Sequence, residues 1–300
     1  MGIGKQNCFP GQIDHLQYQN TTAGNYAQLL LFLFILPLGL LAGISFLCYS
    51  IYRIFTQKEI EPKGEPVMSK KTLSPEQKRL DTDIWIIALV TLAVFCLYAA
   101  MGNQLTQFVL DSGRPIFPRL LVNAGIQYGV AGLGITIVCI PRREAFSSFG
   151  LRKEQAGKAV LGTILVFLPL LCCRYLSGQI EGWQPFSILI TEDVLNSGFP
   201  LSVLGMAVII LVWGFFEGFN YAVISEKINR RYPPAGLWLD MGAVICAAAC
   251  LLLHPFNTSF WGIVELITTF TAIYGMLIVK RQTGNAWGCV FAFCFIWNAF

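Results

Sequence analysis

Residues 201–234 read LSVLGMAVIILVWGFFEGFNYAVISEKINRRYPP, and one letter in the middle of this run decides how the rest is read. From 201 to 225 the stretch is long and apolar enough to cross a hydrocarbon core of about 30 Å. Glu217 is the exception, since a carboxylate at the centre of a membrane helix costs roughly 2.5 to 3.5 kcal/mol even on the lenient insertion scale. Asn220, Tyr221 and Ile224 follow it at the three- and four-residue spacings that align side chains along one helix face. Glu217, Asn220 and Tyr221 therefore make a polar stripe that turns away from lipid. The helix is expected to run on to about Arg230, because SEKINRR is compatible with helix and Pro233-Pro234 then stops it.

Working outward, runs of the same character recur at 27–52, 83–101, 119–140, 158–176, 236–256, 258–279 and 284–300. With 55% hydrophobic and 13% charged residues over 300 positions, the composition lies outside the range of soluble domains. The expected fold is all-α, a polytopic membrane bundle of about eight transmembrane helices. Positive residues concentrate in cytoplasmic connections. Of the 21 Lys and Arg, the first, third, fifth and seventh connections hold 17, so both termini are expected on the outer side. The organisation that follows is an outer tail over 1–26, a first helix at 27–52, a flexible cytoplasmic linker over 53–82 and a seven-helix membrane domain over 83–300. The net charge of +4 reflects this asymmetry and implies no nucleic-acid surface. Nine of the ten cysteines fall inside spans and read as buried reduced thiols.

Three further polar groups fall at the depth of Glu217. Measured from the turn near Pro234, Glu217 lies about 26 Å back and His254 about 30 Å forward at the helical rise. The returning helix carries Asp240, Ala243, Ala247 and Cys250 before His254, a row of small residues that lets two backbones approach. Glu265 lies roughly 22 Å and Asn298 about 21 Å from the cytoplasmic end. Four helices thus deliver polar side chains to one slab, as they do around a cavity. The plainer alternative for each is a protonated or interhelically bonded group, worth on average about 0.6 kcal/mol.

The order of these features resembles the CPBP family of intramembrane endopeptidases, which includes the CAAX prenyl endopeptidases and bacteriocin-processing relatives. The resemblance covers about residues 119–300. It rests on the glutamate helix with a basic cytoplasmic end, the returning helix with a histidine in its deep half, the FGLR phrase at Phe149 to Arg152 and the TGNAW helix start at Thr283 to Trp287. The family pattern is EExxxR, then FxxxH, then HxxxN or HxxxD. Here the second glutamate is Glu217, while Phe216 replaces the first and Tyr221 the arginine. His254 is kept, with Cys250 in place of the phenylalanine. Phe293 falls on the second histidine and Trp297 on the Asn/Asp position, with Asn298 one residue late.

The resemblance implies a glutamate general base, histidines that hold water and an amide donor for the oxyanion, which is what attack on a peptide bond demands. Glu217 and His254 are the candidate catalytic pair, and Asn298, Asn220 and Glu265 the secondary candidates, Glu265 as a carboxylate presented to His254. Losing members of a unit that acts together removes most of its rate advantage. The expected function is therefore a CPBP-like protein with reduced or lost peptidase activity that binds a membrane-embedded or lipidated peptide. An active endopeptidase using Glu217 and His254 is the first alternative, and a proton- or cation-coupled transporter the second. No cofactor is expected. If a metal is held, its ligands are Glu217, His254 and Glu265 and the ion is zinc, which takes three protein ligands plus water in catalytic sites.

Overall fold

The computed structural model describes residues 73–180, 182–236, 238–253 and 258–300. The predicted outer tail, the first span at 27–52, most of the linker and His254 lie outside these. Among the described residues the secondary structure is helical throughout, with no strand. Five helices are long and apolar enough to cross a membrane: α1 (Pro75–Leu110), α2 (Ile116–Cys139), α3 (Ala156–Leu176), α5 (Leu201–Arg231) and α7 (Phe260–Thr283). Two apolar helices are shorter, α6 (Met241–Leu253) and α8 (Trp287–Trp297), and a five-residue helix α4 (Thr191–Leu195) lies in the connection before α5. These elements match the seven expected spans in order, and the chain is a multi-pass helical membrane protein.

The first of them begins earlier than expected. Ser74 and Gln77 form a reciprocal capping box, Gln77 donating its backbone N–H to the Ser74 hydroxyl and Ser74 its own to the Gln77 side chain, with Pro75 in the first turn. That motif starts a helix wherever it precedes compatible residues, so α1 takes in eight residues read as linker. At 36 residues and 1.5 Å per residue α1 is about 54 Å long, more than the hydrocarbon core needs. It is also the least enclosed helix, and Trp85, Leu89, Leu92 and Leu97 stand exposed along it. In a bilayer such faces meet acyl chains.

The interior belongs to α5 and α8. Helix α5 touches α1, α2, α6, α7 and α8, while α8 lies between α3 and α5. The contact of α5 with α8 is backbone to backbone: a Cβ at Gly218 would come within 2.5 Å of the Cys289 carbonyl oxygen. On its other side α5 meets α6, where a Cβ at Gly242 would lie 2.3 Å from the Ser225 carbonyl oxygen. Ala243, Ala247 and Cys250 are buried on that face, as the small-residue spacing predicts. Asp240 begins α6, its carboxylate accepting from the Ala243 backbone N–H and from the Asn229 amide.

Three of these helices share a departure from regular geometry. Helix α2 passes through a π-helical segment at Gly129–Leu133, α5 through one at Ile210–Phe216, and α8 ends in one at Phe293–Trp297. The segment of α5 touches both of the others. Such wide turns are rare and concentrate at functional sites. Glu217 is the first residue after the π segment of α5.

Candidate functional site

Glu217 is half-buried, and its nearest polar partner comes from α2. The Gln127 amide donates to Oε2 at 2.9 Å. The Asn298 side chain comes close to the same carboxyl from the end of α8, but its buried Nδ2 closes no hydrogen bond of ordinary length. The carboxyl is thus met by two neutral amides, and among the described residues no cation pairs with it. Gln127 is not among the residues expected in the site, although its signal is plain: an amide in the middle of an apolar span. Asn220, one turn along α5, takes no part in holding Glu217.

The next residue, Tyr221, lies flat on Phe293, with ring centroids 5.2 Å apart and planes at 16°. The Cys250 side chain on α6 lies beside its hydroxyl. Phe293 is fully buried and leans on Trp297, which in turn meets Phe167 edge-on. On the other side of Glu217, Phe216 sits edge-on to Tyr128 at 5.0 Å. The substituted positions of the CPBP pattern, Tyr221, Cys250, Phe293 and Trp297, therefore converge in space. They form an aromatic stack with the Cys250 thiol at its side.

Glu265 is held elsewhere. Its Oε1 accepts from Nε of Arg174 at 3.1 Å and its Oε2 from Gln179 at 3.2 Å. The Arg174 guanidinium also lies over the Trp297 ring, 5.6 Å from its centroid. An ion pair of this kind leaves Glu265 little freedom to serve as a base. Arg174, in the last turn of α3, thereby roofs the aromatic stack. Among the described residues no three of His, Cys, Asp and Glu gather as metal ligands, and Glu265 is a salt-bridge partner.

The two phrases that carry the family resemblance meet at the basic end of the bundle. The Ala286 backbone N–H donates to the Gly150 carbonyl at 2.8 Å, and the fully buried Asn285 amide donates to the carbonyls of Arg152 and Glu154. Asn285 also accepts from the Trp287 backbone N–H and so caps α8. Close by, Lys227 is fully buried between Asp83 at 3.0 Å and Glu144 at 2.6 Å, and Arg142 and Arg79 pair with the same two acids. This network joins α1, the turn after α2, and α5.

The chain matches no family model, no curated protein and no solved structure. Hydropathy and fold define it as a multi-pass helical membrane protein.

Proposed function

We propose that this chain is a divergent CPBP-like membrane protein with reduced or lost peptidase activity, whose Glu217 site binds a membrane-embedded or lipidated peptide. The observation that carries this reading is the stack of Tyr221 on Phe293. In the family pattern those positions hold an arginine and a histidine, and the resemblance implies that histidines hold the water. An aromatic pair cannot do so. Hydrolysis needs a base, a second holder for water and a donor aimed at the developing charge, and among the described residues Glu217 is met by amides. A few fixed polar groups among aromatic and aliphatic walls suit recognition of an apolar chain. The mutual docking of the FGLR and TGNAW phrases supports the scaffold half of the proposal. The Lys- and Arg-rich end is taken to face the cytoplasm.

The test uses the full chain in phosphatidylcholine liposomes with a labelled synthetic single-span peptide, with and without a farnesylated C-terminal cysteine. Saturable binding with the peptide mass unchanged after long incubation is expected. Cleavage that disappears in Glu217→Gln would support the active-endopeptidase alternative instead. Ion flux abolished by the same substitution would support transport, and neither binding nor cleavage of either peptide would overturn the proposal.

A further inference from the structure

A cleft of about 320 Å³ opens at the basic end, far along α5 from Glu217, between the turn that carries FGLR and the C-terminus of α7. Ser147, Ser148, Arg152, Glu226, Lys280 and Arg281 line it. Its charge is unbalanced: three cations face one acid. Glu226 is already neutralised, accepting from Lys280 on Oε2 and from Arg230 on Oε1 at 3.1 Å. Arg281 is engaged with the Gly236 carbonyl and, at a long 3.4 Å, with Asp240. Arg152 forms no ion pair or side-chain hydrogen bond among the described residues.

The backbone presents that unpaired guanidinium to the cleft. Gly284 closes α7 in the left-handed region, with φ of 61°, and a Cβ there would come within 2.1 Å of Arg152 Nη2. The guanidinium thus lies across bare glycine backbone. The backbone of Arg152 is fixed by Asn285, whose amide donates to the Arg152 carbonyl at 2.6 Å. A planar, permanently charged fork with its donors free matches the oxygens of a phosphate. Lys280, nearly buried at the wall, is paired with Glu226, which leaves Arg152 as the unpaired cation among the described lining residues.

We infer that this cleft binds a phosphate group, presented either by an anionic lipid headgroup or by a small soluble phosphate compound. The distribution of Lys and Arg puts this end at the cytoplasmic surface, where anionic headgroups lie within reach of basic segments. The inference does not depend on what occupies the Glu217 site.

The purified full chain is titrated with phosphatidylglycerol, read by native mass spectrometry, and separately with inorganic phosphate, read by calorimetry. Wild type is compared with Arg152→Gln and with Lys78→Gln, an exposed cation in the first turn of α1 that serves as control. Loss of one charge-assisted fork weakens binding by about tenfold or more, so Arg152→Gln is expected to lose at least that much and Lys78→Gln to stay within about twofold. Binding of the lipid alone assigns the headgroup as the source, and binding of inorganic phosphate assigns a soluble compound. No binding of either, equal binding by Arg152→Gln, or an equal loss in Lys78→Gln would each overturn the inference.

Discussion

Two carboxylates show how differently this bundle treats buried charge. Asp83, fully enclosed near the start of α1, receives Lys227 on one oxygen and Arg142 on the other. Glu217, near the middle of α5, receives the Gln127 amide and is approached by a second amide that does not close its bond. The first arrangement cancels charge with charge and ties three segments together. The second, among the described residues, leaves a carboxylate inside the membrane with dipoles alone. Fully paired ions hold geometry, whereas an under-paired one keeps capacity for something else, and the difference separates scaffold from candidate site.

The comparison is broken most directly at Lys227. Removing one partner of a buried pair leaves the other charged and uncompensated, at a cost of about 3–5 kcal/mol. Lys227→Ala strands Asp83 and Glu144 together, and its thermal transition in detergent is expected to fall by about 10 °C. A shift of under about 2 °C would mean that the network is ornamental and that both carboxylates are equally dispensable.

Gly218 sharpens the comparison from the packing side. A Cβ there meets the backbone of α8 at Cys289 and Val290, which has no rotamer by which to give way. Gly218→Ala is expected to cost about 1–3 kcal/mol, the usual penalty of overpacking, and to displace α8 with its Phe293 and Asn298. Gly125→Ala is the control, because nothing lies within 4 Å of the added carbon. Equal melting of the two variants would show that α5 and α8 do not approach closely in solution.

What the sequence made legible follows the same division. Long apolar runs placed in order the seven spans that fall among the described residues, since lipid imposes length and polarity directly. The small-residue face of α6 was readable for the same reason, its spacing being a local property. The ion network was not, because Asp83, Glu144 and Lys227 are far apart in sequence and look like ordinary ends of spans. The ion pair of Glu265 was not legible from depth alone: Arg174 and Glu265 are separated by 91 positions, and only the packing of α3 on α7 joins them. Depth locates a slab but not the azimuth of a side chain, so Gln127 and Arg174 escaped although both lie at or beside expected spans. The capping box at Ser74 was available and would have placed the start of α1.

A smaller effect is expected at the roof of the stack. Arg174 and Glu265 are both partly exposed, so their pair is worth about 1 kcal/mol or less. Arg174→Gln is expected to lower the melting temperature by no more than about 4 °C. The same variant is expected to change the fluorescence of Trp297, from which a cation is withdrawn. An unchanged spectrum would place Arg174 away from the ring.

The smallest effect is expected at Glu217 itself, and it tests the comparison most sharply. In Glu217→Gln the side-chain oxygen still accepts from Gln127, so that hydrogen bond survives. The substitution removes a carboxylate from a medium in which ionised groups are expensive, and the bond that remains is of a kind averaging about 0.6 kcal/mol between membrane helices. Thermal stability in detergent should therefore stay level or rise slightly, while replacing the buried cation by an amide in Lys227→Gln lowers it. A loss of more than about 2 kcal/mol in Glu217→Gln would exceed what a neutral amide partner accounts for. Glu217 would then be held as an ion by a partner beyond Gln127 and Asn298, and would belong with Asp83 among the groups that build the fold.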